Sequence, residues 1–147
     1  MAAIVLPLAV PLAAAYIGGT ATVLAFAADR ALRRRHGLPP AEWSEAAARW
    51  FAGIFLGPAA IGFAFAVMIA LDSVPPRLDV PGWVPWAGMV AITHAVTGAA
   101  FYFSLTEVRA ACPRGEALLA CGLAAGLWTL CLWGGLIGAV ELLMGHW

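Results

Sequence analysis

The sequence predicts an all-α integral membrane bundle of four transmembrane helices with both termini outside, and three observations predict it. The chain of 147 residues is 63% hydrophobic and only 11% charged, with a mean hydropathy of +0.90, against about 25% charged residues in a soluble domain. Four apolar runs, residues 3–28, 46–71, 83–105 and 117–144, each exceed the roughly 20 residues that cross a bilayer. Seven of the eight arginines flank the first and third connections, and only Arg77 flanks the second. The positive-inside rule makes those two connections cytoplasmic, so a four-span chain starts and ends outside. These observations describe a single transmembrane domain over residues 1–147, expected in a bacterial inner membrane.

The first run opens MAAIVLPLAVPLAAAY, which has the look of a signal-peptide core. It has no positive n-region and stays apolar well past any Ala-rich cleavage site, so a retained helix is expected. Pro7 and Pro11 are expected to bend or loosen its outer end. Ala14, Gly18 and Thr22 place small residues on one side of it. The segment that follows, DRALRRRHGLPPAEWSE at 29–45, crowds Arg30, Arg33, Arg34 and Arg35 directly after the apolar run. Such a cluster anchors topology and touches anionic headgroups; the alternative is a docking patch for an acidic partner. Gly37 is expected to stop the first helix, with Pro39 and Pro40 leading to the next and Glu45 to Arg49 forming an i,i+4 pair.

In the second run Gly53 and Gly57 form a G-x-x-x-G packing signal, and Trp43 and Trp50 mark the headgroup level. Pro58 cannot donate to the carbonyl of Ile54, which leaves that oxygen free inside the membrane. A short Pro-rich connection at 72–82 leads to Trp83 and Trp86 at the outer interface. The third run carries His94 about ten residues in, roughly 15 Å along a helix and near the bilayer midplane. Ala87, Ala91, Ala95 and Ala99 repeat at four-residue steps, and this small face is expected to pack on protein and hold His94 inward. A polar turn with Arg109 and Arg114 follows. In the fourth run Gly122 with Gly126, and Gly134 with Gly138, give two more packing pairs, which drift around the axis and so face different neighbours. Trp128 and Trp133 lie inside this run, away from the usual aromatic belt, and are expected to offer apolar contact to a partner. Glu141 lies near its far end and His146 just beyond. Cys112, Cys121 and Cys131 have no Cys-x-x-Cys spacing, and the two within the apolar run are expected to pack as small hydrophobes.

Tyr16, His94, Thr97 and Thr129 form the expected intramembrane polar cluster, together with the Ile54 carbonyl. An imidazole needs one acceptor and one donor, and this set offers both, so His94 reads as an interhelical hydrogen-bonding residue. A second reading makes it the axial ligand of a haem or chlorin. His94-Ala-Val-Thr-Gly98 resembles the His-x-x-x-Gly pattern of haem-bearing anchor subunits of succinate dehydrogenases. That resemblance spans five residues and implies an axial role for His94, with a second histidine supplied by another copy or subunit. A third reading is a proton or ion path through His94 and Glu141.

No carboxylate pair, Ser/His/Asp set, Cys/His pair or metal-ligand cluster falls at one depth, so an enzyme is not expected. A nucleic-acid partner would need a basic surface larger than one loop. The expected role is a non-catalytic, structural or anchor subunit of a larger membrane complex, surrounded by the lipid bilayer. The alternative is a small homo-oligomeric transporter or channel using His94 and Glu141.

Overall fold

The computed structural model describes residues 2–42, 44–49, 51–56, 59, 62, 81 and 83–144, with backbone alone at 2–11, 14, 85, 136 and 139–144. Regular structure among the described residues is entirely helical. The elements are α1 (Ala2–Arg35), a helical stretch at 44–49 and 51–56, α2 (Trp83–Ser104), α3 (Thr106–Ala111) and α4 (Arg114–Met144). Gly57, Pro58, Trp43, Trp50, Arg77 with its connection, and His146 lie outside the described residues. Glu141 is described only as helical backbone.

Two helices among the described residues are long and apolar enough to cross a membrane: Trp86–Ser104 of α2 and Arg114–Gly135 of α4, with mean hydropathies of 1.2 and 1.7. Only 22% and 39% of their apolar windows are buried. The core helix of a soluble protein would bury most of such a window, so these helices show their apolar sides outward. The expectation of four spans is met here by two helices of this kind. α1, with 34 residues, is about 50 Å long, and most of the second run lies outside the described residues.

α1 continues well past the end of the apolar run, carrying Arg30 to Arg35 on helix where a loop was expected. It is helical through Pro7 and Pro11, as membrane helices allow when other groups satisfy the freed carbonyls. Its stop is a Schellman turn. Gly37 takes the left-handed φ of 65° that a side chain disfavours, and the Leu38 N–H donates back to the Arg33 carbonyl at 2.9 Å. Arg33, Arg34 and Arg35 in the last turn suit the negative end of the helix dipole. The third connection also differs from the expected turn, because α3 fills it. Cys112 ends α3 in an extended conformation (φ −108°, ψ 153°), as the following Pro113 requires. The Pro113 carbonyl then accepts from the N–H groups of Glu116 and Ala117 to open α4.

α4 is the central helix, with α1 packed along one side and α2 along another, while α3 touches all three. The α1 core stripe is Ala21, Ala25, Ala28 and Leu32, in the alternating steps of four and three that a 3.6-residue turn keeps on one face. Cys121, Ala125, Trp128 and Leu132 answer it from α4. On α2 the buried positions are Met89, Thr93, Thr97 and Phe101. The alanines at 87, 91, 95 and 99 are exposed, which corrects the expected packing face. Four-residue spacing puts two stripes of the same pitch on this helix, and the stripe with the larger side chains is the one that fills the space beside α4.

Candidate functional site

His94 is half-buried and lies against α4, where a Cβ added at Gly126 would meet its Cε1 at 3.4 Å and its Nδ1 at 3.8 Å. Gly126 therefore makes room for the imidazole. The hydroxyls expected to serve His94 are used elsewhere. Thr129 donates to the Ala125 carbonyl at 2.7 Å, Thr97 to Thr93 at 2.8 Å, and Thr93 to Met89 at 2.8 Å. Each is a bond to the carbonyl one turn back on the same helix, the nearest acceptor a helical threonine has. Tyr16 donates across the bundle to the Cys131 carbonyl at 3.0 Å. Tyr16, His94, Thr97 and Thr129 are thus not joined in one network, and neither nitrogen of His94 has a hydrogen-bond partner among the described residues.

The resemblance at His94–Gly98 implied room for a planar ring beside Gly98. In the structure a Cβ at Gly98 would lie 3.7 Å from the Ala125 side chain. Both ends of the five-residue pattern face α4, so the small residue marks a helix–helix contact and opens no slot for a macrocycle. The pattern does not fit that group here.

The glycines separate into two kinds. At the crossing of α1 and the 51–56 stretch, a Cβ on Gly18 would lie 2.9 Å from the Ile54 Cα, and one on Gly53 would lie 3.0 Å from the Gly18 carbonyl oxygen. Here backbone meets backbone. Gly122, Gly134 and Gly138 have nothing within 4 Å of such a Cβ among the described residues. Gly135, which the four-residue spacing passes over, receives the Tyr16 ring, with Cε1 at 3.0 Å. Trp128 also departs from expectation. It is 1% exposed, and its indole N–H donates to the Ile17 carbonyl at 3.1 Å. A buried indole needs an acceptor, and α1 supplies one, so this side chain is bundle core rather than partner contact. Trp133 is half-buried, edge-on to Trp86 with ring centroids 6.5 Å apart. Cys112 and Cys121 are buried and Cys131 is exposed.

The most elaborate polar site is at the Arg-rich end, centred on Asp29, which is fully buried. Its Oδ2 accepts from Arg33 Nε at 2.9 Å and lies 3.3 Å from Arg49 Nη1. Arg33 also donates from Nη1 to the Pro39 carbonyl at 2.9 Å, and from Nη2 to Glu45 at 3.3 Å and Glu107 at 3.0 Å. Arg49 closes the ring through Nη2 to Glu45 at 3.3 Å. Arg33 and Arg49 are 5% and 6% exposed, so α1 and the 44–49 helix are tied by buried cations on the buried Asp29, while α3 joins through Glu107, whose side chain is 67% exposed. Burial alone would pull the Arg33 pKa down, but the hydrogen bond to Glu107 and the nearby Asp29 and Glu45 carboxylates leave it raised. Asp29 Oδ1 and Arg49 Nε have no hydrogen-bond partner, and the Arg49 Nη1 approach to Asp29 is an ion pair without hydrogen-bond alignment. A cavity of about 20 Å³, near the size of one water, lies against Arg49, Gly53, Thr97 and Trp128.

A second, more exposed group joins α1 to α4, with Arg35 Nε 3.3 Å and His36 Nε2 3.0 Å from Glu116 Oε2. Beside it, burial followed by the Glu116 charge pushes the Cys112 thiol up from its ordinary value, keeping it protonated. Arg109 lies over the rings of Tyr102 and Phe103, at 5.3 and 5.4 Å from their centroids.

Of the four arginines read as a basic loop, Arg33 is therefore a buried tie and Arg35 a paired surface residue, while Arg30 and Arg34 stay exposed. The residue that sequence reasoning missed is Asp29. Its signal was present: an acid at the very end of an apolar run, four residues before an arginine and so on its face of a helix. Comparison with protein-family models, with curated proteins and with solved structures finds no match to this chain.

Proposed function

We propose that the chain is a four-span integral membrane bundle, with both termini outside a bacterial inner membrane, and that it serves as a non-catalytic scaffold or anchor subunit of a larger membrane assembly. The observation that carries this reading is the use made of interhelical polar groups. Tyr16 and Trp128 fasten α1 to α4 within the apolar layer, and the Asp29–Arg33–Arg49 ring fastens three elements at one end. These groups hold helices together. Large apolar side chains such as Phe55, Leu119, Leu123 and Leu130, each more than 60% exposed, suit lipid or neighbouring subunits.

Purification from native membranes in a mild detergent tests the reading. Stoichiometric membrane proteins in the purified complex support it, and a pure self-oligomer overturns it. The second reading, a small homo-oligomeric transporter or channel, is favoured by the unpartnered imidazole of His94. It requires pH-dependent flux through the purified chain in liposomes, and that flux must disappear in His94→Leu. For topology, a reporter fused after Trp147 is expected to be active only outside the cytoplasm, and activity inside would remove the four-span arrangement.

A further inference from the structure

Two adjoining depressions on α1 change character along the helix axis. The first, of about 550 Å³, is an apolar groove between Val23 and Phe26 of α1 and the small side chains of Ala41, Ala46 and Ala47, with Glu42 on its wall. The second, of about 320 Å³, shares Phe26 and Ala41 with it and carries Arg30, Arg33 and Arg34. Val23, Phe26, Arg30 and Arg34 advance by three or four residues, so they lie on one face of α1. From Val23 to Arg30 is roughly 10 Å along the axis, with Arg34 one further turn away. The surface thus runs from an apolar channel to a basic pocket over the distance that separates the upper part of an acyl chain from its phosphate.

The charges in the pocket are not equivalent. Arg33 is spent on Asp29, Glu45, Glu107 and the Pro39 carbonyl, and Asp29, which also lines the pocket, is neutralised by Arg33 and Arg49. Arg30 and Arg34 are exposed and make no ion pair among the described residues. The ion-paired ring occupies Arg33 and Asp29 in the wall of the pocket and leaves the guanidiniums of Arg30 and Arg34, one turn apart, without an ion pair among the described residues.

We infer that this groove and pocket form a binding site for one anionic membrane phospholipid, with the phosphate between Arg30 and Arg34 and one acyl chain along Val23, Phe26 and Ala46. The inference rests on the membrane reading above and adds a stoichiometric ligand to it. Charge complementarity selects the occupant. A zwitterionic lipid brings its own cation to the arginines, whereas an anionic lipid leaves its phosphate charge free to pair with them.

Native mass spectrometry of the full chain in neutral detergent, titrated with phosphatidylglycerol, phosphatidylcholine or inorganic phosphate, tests it. One phosphatidylglycerol per chain is expected, held about tenfold or more tightly than phosphatidylcholine, given that each basic residue near an anionic lipid adds a severalfold factor. Arg30→Gln with Arg34→Gln should remove that preference, Ala46→Trp should block retention of the lipid by filling the groove, and Arg114→Gln should change neither. Equal retention of phosphatidylcholine, or an equal loss in Arg114→Gln, overturns the site. Inorganic phosphate competing on equal terms shows an anion pocket without a lipid site and overturns it too. A chain that stays in solution after detergent removal overturns the membrane reading and the lipid site together, whereas a membrane-embedded chain without the preference overturns the site alone.

Discussion

In the apolar layer, α1 is joined to α4 by single neutral hydrogen bonds, from Tyr16 to Cys131 and from Trp128 to Ile17. At the Arg-rich end the same helix is tied to its neighbours by a network of five charged side chains, the buried Asp29 with Arg33, Arg49, Glu45 and Glu107. The difference follows from what each kind of group can do alone. A threonine inside an apolar helix satisfies itself one turn back, as Thr22, Thr93, Thr97 and Thr129 do, and so carries no information about neighbouring helices. A buried carboxylate cannot be satisfied by its own helix backbone and must find cations, and Asp29 takes one from its own helix, Arg33, and one from the 44–49 helix, Arg49. Tertiary specificity is therefore concentrated where charge is buried, at the end of the bundle, and the apolar middle is held mainly by shape.

The sharpest way to break this comparison is Asp29→Leu. Among the described residues it leaves Arg49 with Glu45 alone and Arg33 with Glu45, Glu107 and the Pro39 carbonyl, and removing one partner from a buried ionic group typically costs about 3–5 kcal/mol. Thermal unfolding in detergent should show a loss matched here only by removal of a large buried ring, with Arg30→Gln on the exposed side unchanged. Equal behaviour of the two variants would mean that water reaches the ring and that its charges tie nothing. Gly18→Leu should come next. Its Cβ would meet the Ile54 backbone at 2.9 Å, and forcing backbones apart in a packed contact costs about 1–3 kcal/mol. Gly122→Ala, with nothing within 4 Å among the described residues, should be neutral or slightly stabilising. If Gly122→Ala proves as harmful as Gly18→Leu, the Gly122 face is covered by something other than the described residues.

Much of the helical layout was legible because it rests on length and composition. The apolar runs at 83–105 and 117–144 correspond to α2 and α4 within a few residues, and Gly37 terminates α1 as its lack of a side chain suggests. Facing was less legible. Four-residue spacing of small residues singled out Ala87 to Ala99 and Gly134 with Gly138, yet the contacts of α1 follow the alternating three-and-four pattern of Ala21, Ala25, Ala28 and Leu32. A helix rich in alanine and glycine offers several small stripes, and only the neighbour's shape selects one. The polar ring was hidden for another reason. Counting arginines by loop gives orientation but ignores the acids among them, and Asp29, Glu45, Glu107 and Glu116 all lie at the same end.

Trp128→Phe sharpens the comparison from the other side. The ring stays in its place and only the indole N–H is lost, so the cost should be near the roughly 0.6 kcal/mol of an average interhelical hydrogen bond in a membrane. Trp128→Ala, which removes the buried ring itself, should cost about 3–5 kcal/mol. A large loss in Trp128→Phe would show that neutral hydrogen bonds in the apolar layer rival the charged ring, contrary to the contrast drawn between the two regions.

A small effect is expected at His94, although it is the one ionisable side chain within the long apolar run of α2. With no hydrogen bond among the described residues, its removal forfeits packing alone, including that against Gly126. His94→Leu fills a similar volume with an apolar side chain, and such volume-conserving exchanges usually cost less than about 1.5 kcal/mol. The imidazole also loses nothing electronically if it ligates nothing, so the visible absorbance of wild type and variant should be the same. A Soret or chlorin band in the wild type, absent from an equally folded His94→Leu, would overturn this and require a partner chain to supply both the macrocycle's space and a second ligand. The space matters because Gly98, the small residue of the pattern, already lies against Ala125. Of the two ring nitrogens, Nδ1 is the one within 4 Å of the Gly126 Cβ position, so Nε2 is the nitrogen left to meet such a ring.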